Sequence, residues 1–250
     1  MKQKEILKQN KATWDAIADS WFGTTALPEW GCSVPTEDAL CLLGDLTGKT
    51  VLDIGCGSGH SMKWCAEHGA EELWGLDLSS RQLENAGKLL NVNNISCRLL
   101  NQPMEESSGI PENYFDVVYS VYAVGWTTDM PKTFSNVFSY LKTGGIFIFS
   151  WDHPFMHCVD PVDEDLIFSG NYLDEDIFSF EKGGFPVTIK NRKLSTYINA
   201  LADAGFAVKR VIEETDKEAL SGEDAFSSRY YSRRKAAKFP LSVIIQAEKI

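Results

Sequence analysis

Residues 49–60 read KTVLDIGCGSGH, and no other stretch restricts the possible folds as much. Val51, Leu52 and Ile54 are β-propensive apolar residues in a short run, Asp53 interrupts them, and Gly55, Gly57 and Gly59 follow at alternate positions. The pattern predicts a buried strand running into a glycine turn, with a helix resuming over residues 61–68. Glycine is needed where the backbone must take positive φ or where a ligand presses on the main chain. Strand, glycine loop and helix together form a cradle of the nucleotide-binding type. The loop is not a Walker A, because no Gly-Lys-Ser/Thr follows. Nor is it the dinucleotide G-x-G-x-x-G, because His60 stands where the third glycine should be; this argues against a nicotinamide dehydrogenase. A carboxylate at Asp53, two residues before the first glycine, would also repel a pyrophosphate at close range. The cradle suits a cationic ligand.

The remainder of the chain alternates strands with helices. Apolar runs predict strands at 72–78, 95–100, 114–121, 145–150, 206–214 and 242–248. Helical spacing predicts helices at 81–90, capped by Ser79, at 131–141, and at 194–204, closed by Gly205. Ahead of the glycine loop, residues 3–22 form a helix with Ile6, Trp14, Ile17, Ala18, Trp21 and Phe22 loosely on one face, and 37–46 form a shorter one. Alternation of this kind means an α/β fold, a parallel sheet covered on both faces. Ligands of doubly wound sheets sit at the carboxyl ends of strands, and an acidic residue about 20 positions past the glycine turn accepts hydrogen bonds from a ribose. Asp77, at the end of the second strand, fits that role.

VLDIGCGSG, the acidic Asp77, FDVVYSVYAVGW, LKTGGIFIFS and a late RKLSTYINALADAGF together resemble a class I S-adenosylmethionine-dependent methyltransferase of the small-molecule type, similar to the ubiquinone/menaquinone methyltransferase superfamily. The resemblance covers residues 45–150 and, by pattern, 191–250. It implies a Rossmann-like, doubly wound, mostly parallel seven-stranded sheet of order 3-2-1-4-5-7-6 with the last strand antiparallel, and S-adenosyl-L-methionine as cofactor. It places Asp53, Gly55, Cys56, Gly57 and Gly59 around the cofactor's amino-acid part and sulfonium, and Asp77 on the ribose. Leu78 and Gln82 would flank the adenine, with Pro103, Met104 and Glu105 at its edge. The family often has Asp-Ala where this chain reads NQPM over 101–104, so the adenine contact departs from the pattern. Ser120, Val121 and Tyr122 would pass the methionine moiety. The resemblance says little of the N-terminal helix, whose aromatic residues Trp14, Trp21 and Phe22 themselves suggest a lid with Trp21 over the cofactor.

At 250 residues, without a Pro/Gly/Ser-rich linker, the chain reads as one domain, with 1–46 as an N-terminal helical lid and 151–190 as a cap over the substrate pocket. No apolar stretch is long enough to span a membrane, and residues 1–13 lack the apolar core of a secretory signal, so the cytoplasm is expected. Six scattered cysteines without a CxxC pair are expected as free thiols. A net charge of −11 argues against a nucleic-acid partner, and the short basic run at 229–238 reads as a solvated face. The partner expected is therefore a small-molecule acceptor; RNA or protein methylation, or cofactor binding without catalysis, are the alternatives. His153, His157, Cys158, Asp160 and Asp163 match no standard metal-site spacing, and no metal is expected. His153, just past the fifth strand, and Tyr122 are the candidate catalytic groups. Trp14, Trp126 and Trp151 are the candidates for an acceptor-binding wall.

Overall fold

The computed structural model describes residues 2–221 and 230–250. Its centre is a seven-stranded sheet. β1 (Thr50–Ile54), β2 (Glu72–Asp77), β3 (Arg98–Asn101), β4 (Phe115–Val121) and β5 (Leu141–Asp152) pair in parallel. Four further strands form two hairpins outside the sheet: β6 (Val159–Val162) with β7 (Asp165–Phe168), and β8 (Ile177–Lys182) with β9 (Phe185–Lys190). β10 (Phe206–Ile212) and β11 (Ser242–Lys249) complete the sheet, β11 running antiparallel between β5 and β10. The order is β3-β2-β1-β4-β5-β11-β10, as the resemblance implies.

The period of two along each strand divides the core. Leu52 and Val118 with Phe147, Phe149, Val243 and Ile245 face α5 (Met130–Tyr140) and α6 (Leu194–Asp203). Their neighbours Val51, Val117, Tyr119, Ile148 and Ile244 face α3 (His60–Glu67) and α4 (Ser80–Val92) on the other side. α4 begins as expected, with Ser79 Oγ accepting from Gln82 N at 3.1 Å.

The N-terminal helix α1 (Gln3–Ile17) continues as a 3₁₀ turn over Ala18–Trp21. Phe22 departs from the expected apolar face: it is 49% exposed and meets only the edge of His60. The helix predicted over 37–46 stops as α2 (Glu37–Leu40), because Cys41 turns left-handed at φ 49°. The buried Glu37 carboxylate fixes that turn by accepting from Leu43 N (2.7 Å) and Trp30 Nε1 (2.9 Å). Residues 229–238 are not simply a solvated face: in α7 (Arg233–Ala236), Lys235 is fully buried and donates to Met156 O at 2.8 Å. Arg229, the first residue of that run, lies outside the described residues. No described helix is long and apolar enough to cross a membrane.

Candidate functional site

A cavity of about 520 Å³ opens at the carboxyl ends of β1, β2, β4 and β5, where the strand order reverses. Its floor is the glycine loop. Gly55 and Cys56 donate to Leu76 O (2.8 and 3.0 Å), which presses the turn against the end of β2. A Cβ on Gly55 would stand 2.2 Å from that of Ala123, whereas one on Gly57 would meet nothing within 4 Å, so Gly57 presents bare backbone to the cavity. Asp77 accepts from Gly57 N at 2.9 Å and from Ser79 N at 2.8 Å, joining the loop to the start of α4. Burial pushes the Asp53 carboxyl up to about 8 and that of Asp77 up to about 6.

The walls come from β4, β5 and the segments that follow them. Tyr122 sits in the left-handed region at φ 52°, donating its N–H to Ser150 O at 3.2 Å. Trp14, Trp126 and Trp151 form a chain of edge-to-face contacts with centroids 5.4 and 5.8 Å apart. Beside them the buried Asp152 accepts from Tyr231 Oη at 2.9 and 3.1 Å, and His157 Nε2 stands 3.4 Å away. Across the cavity, Glu105 Oε1 accepts from Thr127 Oγ1 (2.9 Å) and Thr128 Oγ1 (2.8 Å). Glu105 Oε2 and Gln82 Oε1 are buried without a hydrogen-bond donor among the described residues.

The cover is built from α1 and the β8–β9 hairpin. Asn10 pairs with the Thr188 backbone in both directions (2.8 and 2.9 Å), and Thr13 donates to Pro186 O at 2.6 Å. The opposite side of α1 reaches α4: Asp15 accepts from Ser79 Oγ at 2.7 Å, and Asp19 pairs with Arg81 at 2.9 Å. The turn after Trp21 is tied to the glycine loop, Gly23 N donating to Ser58 Oγ and Leu27 N to Ser61 Oγ, both at 3.1 Å.

Of the residues singled out from sequence, Trp14, Trp21, Asp53, Gly55, Cys56, Gly57, Asp77, Leu78, Gln82, Pro103, Met104, Glu105, Val121, Tyr122, Trp126 and Trp151 line this one cavity. Three do not. Gly59 is the left-handed N-cap of α3, and a Cβ there would stand 3.0 Å from Ala86, so it serves the packing of α3 on α4. Ser120 is fully buried, donating to Ile54 O at 2.8 Å between β4 and β1. His153 turns away: its Nε2 meets Glu213 at 2.7 Å and its Nδ1 accepts from Phe155 N at 3.1 Å, while burial lowers its pKa. Tyr122 lines the cavity with its ring, and its hydroxyl is hydrogen-bonded to Ser242 Oγ, which itself donates to Cys32 O. Asp152, expected with His153 to face the crevice after the fifth strand, does line the cavity, beside His157; the sequence reading missed the β8 face of Phe178, Phe180 and Lys182. The alternation of Phe178, Phe180 and Lys182 with Ser179 and Glu181 was the available signal.

Residues 52–149 match the family described as a methyltransferase domain. A functionally uncharacterised protein of Haemophilus influenzae is 31% identical over 186 residues, which span 70% of this chain and 73% of that protein. The sterol 24-C-methyltransferase of Yarrowia lipolytica is 28% identical over 193 residues, 76% of this chain and 46% of that protein. Among solved structures, a candidate S-adenosylmethionine-dependent methyltransferase of Listeria monocytogenes superposes with a TM-score of 0.68 at 27% identity, covering 86% of this chain and 97% of that one.

Proposed function

The chain belongs to the class I S-adenosylmethionine-dependent methyltransferases, with S-adenosylmethionine as its cofactor, and on that premise we propose that it methylates a small organic acceptor held against the tryptophan wall. The observation that carries this reading is the continuity of the cavity, which joins the glycine-loop floor to Trp14, Trp126 and Trp151. Its volume of about 520 Å³ suits small molecules, whose sites span roughly 300–1,000 Å³. The net charge of −11 weighs against a polyanionic acceptor, and a sterol methyltransferase among the relatives supports a small one.

In this reading the Asp77 carboxylate accepts from the ribose hydroxyls, and Asp53, Gly55, Cys56 and Gly57 flank the amino-acid part, with Val121 and Tyr122 opposite and Trp21 above. Leu78 and Gln82 border the purine, and Pro103, Met104 and Glu105 form its far edge. The residues fit the group: Gln82 Oε1 and Glu105 Oε2 lack donors, which an aminopurine carries. Bare backbone at Gly57 allows the close approach that a side chain would block.

When bound, S-adenosylmethionine supplies a methyl group activated by the sulfonium charge. Around it, Trp14, Trp21, Trp126 and Trp151 exclude water, which otherwise stabilises a concentrated charge better than the dispersed charge of the displacement. The same side chains align the acceptor, and positioning contributes up to roughly 7–11 kcal/mol in favourable cases. Where the acceptor must lose a proton, His157, held 3.4 Å from Asp152, is the group placed to receive it.

Calorimetric titration with S-adenosylhomocysteine tests the binding half of the proposal. One molecule per chain is expected, with affinity falling at least about tenfold in Asp77→Ala, which removes two charge-assisted hydrogen bonds. A wild-type chain that does not bind, or an Asp77→Ala chain that binds equally, overturns the arrangement. Transfer of labelled methyl across a panel of small organic acceptors, against RNA and protein fractions, tests the acceptor class.

A further inference from the structure

β8 presents one face to the cavity. Phe178, Phe180 and Lys182 all line it, as the two-residue period of a strand requires. Phe180 lies 6.5 Å from Trp126 between centroids, and the Lys182 ammonium stands 3.9 Å from the centre of the Trp21 ring and 5.5 Å from that of Trp14. Lys182 is the only lysine or arginine among the described residues that line the cavity. It is half-buried, and among the described residues it contacts aromatic faces and no carboxylate. Burial draws its pKa below the ordinary lysine value.

The acidic groups nearby are hydrogen-bonded to other partners, and the charge of Asp152 acts on Lys182 only at long range. Asp77 takes backbone N–H groups, Glu105 takes Thr127 and Thr128, Asp152 takes Tyr231, and Asp160 takes Ser169 Oγ at 2.8 Å. Aromatic faces attract an ammonium but accept no conventional hydrogen bond, so Lys182 keeps hydrogen-bonding capacity to spare in a partly dry site. An anion brought by a ligand would complete them.

We propose that Lys182 recognises a carboxylate on the methyl acceptor, and that the acceptor class is a hydrophobic or aromatic monocarboxylic acid whose apolar body lies against Trp14, Trp126 and Phe180. This rests on the methyl-transfer reading of the cavity given above. A single cation matches a single negative charge, and the carboxylates of Asp152 and Asp160 in the same cavity disfavour a dianion such as a phosphate monoester. The strand face that carries Lys182 also carries Phe180 against Trp126, so the ammonium stands between Trp21, which covers the cofactor, and the acceptor wall that begins at Trp14.

The test uses the full chain saturated with S-adenosylhomocysteine, titrated with 3-phenylpropanoate, indole-3-acetate, the amides of both, and phenyl phosphate. The wild type should bind the acids at least about tenfold tighter than the amides. Lys182→Met should abolish that preference and Lys182→Arg should keep most of it, with S-adenosylhomocysteine affinity within about twofold throughout. The proposal is overturned if neither acid binds, if acids and amides bind the wild type alike, if the preference survives Lys182→Met, or if phenyl phosphate binds tightest. A selective loss of S-adenosylhomocysteine relative to methylthioadenosine in Lys182→Met would assign the charge to the cofactor's own carboxylate, again overturning it. Should Lys182→Met melt early, the acid-to-amide ratio in the wild type and in Lys182→Arg decides. Failure of S-adenosylhomocysteine to bind at all would strike the methyl-transfer reading, whereas failure of acid preference in the loaded chain strikes only this one.

Discussion

The two glycines of the loop differ by what surrounds them. Gly55→Ala would force a Cβ to 2.2 Å from Ala123 at φ +75°, and overpacking plus left-handed strain should cost roughly 2–5 kcal/mol of stability. Gly57→Val adds atoms where no atom lies within 4 Å and should cost only about 1–2 kcal/mol of strain, yet it should abolish S-adenosylhomocysteine binding. Thermal melts with parallel titrations separate the two, and equal binding by Gly57→Val and wild type refutes the assignment. Asp53 and Asp77 carry a second consequence. Burial raises both carboxyls above their ordinary value of 3.8, to about 8 and about 6. The folded chain therefore holds these protons more tightly than the unfolded chain. Their stabilisation is full below about pH 4 and is lost as pH rises through about 6 and then about 8. The melting temperature without ligand should fall between about pH 5 and pH 8.5, and Asp53→Asn should flatten that fall; parallel profiles for the two would refute it. The sequence revealed Asp53, Gly55, Gly57 and Asp77 because backbone approach and strand ends dictate those residue types locally. It could not separate Gly59 or Ser120 from the lining residues, because motif spacing fixes chain position and not which layer a side chain enters. Nor could it choose between His153 and His157, which one 3₁₀ turn over Met156–Cys158 sorts to opposite sides.

Among the elements, the sheet was legible strand by strand, and the segments over the cavity only as the stretches 1–46 and 151–190, without the hairpins inside the second. Strands rich in β-branched and aromatic residues, such as β4 and β11, announce themselves, while β6 to β9 mix charged and apolar residues and take their register from hairpin pairing and from α1. The two-way bonding of Asn10 with Thr188 makes α1 and β9 a single mechanical unit. If the unit opens as a lid, residues 8–25 and 177–190 must open together. Hydrogen exchange in both segments should slow by about tenfold or more on adding S-adenosylhomocysteine, and Asn10→Ala should uncouple them. Protection that is already high without ligand, or that changes in one segment alone, would show a fixed cover.

For the molecule as a whole, the proposed function has one cavity serve two ligands under α1 and the β8–β9 hairpin, and α1 touches the floor at a defined point. Ser79 donates its N–H to Asp77 and its hydroxyl to Asp15, so the carboxylate proposed to meet the ribose and the helix that roofs the acceptor share one residue. If α1 opens as a lid, its closed position depends on what Asp77 holds, and the acceptor wall, which uses Trp14 of that same helix, is complete only afterwards. A lid closing in this way predicts an order of turnover: the cofactor enters first, the acceptor second, the methylated product leaves first and the demethylated cofactor last. Initial-rate measurements should accordingly find S-adenosylhomocysteine competing with S-adenosylmethionine but not with the acceptor, and a Ser79→Ala enzyme should drift towards binding its two substrates in either order.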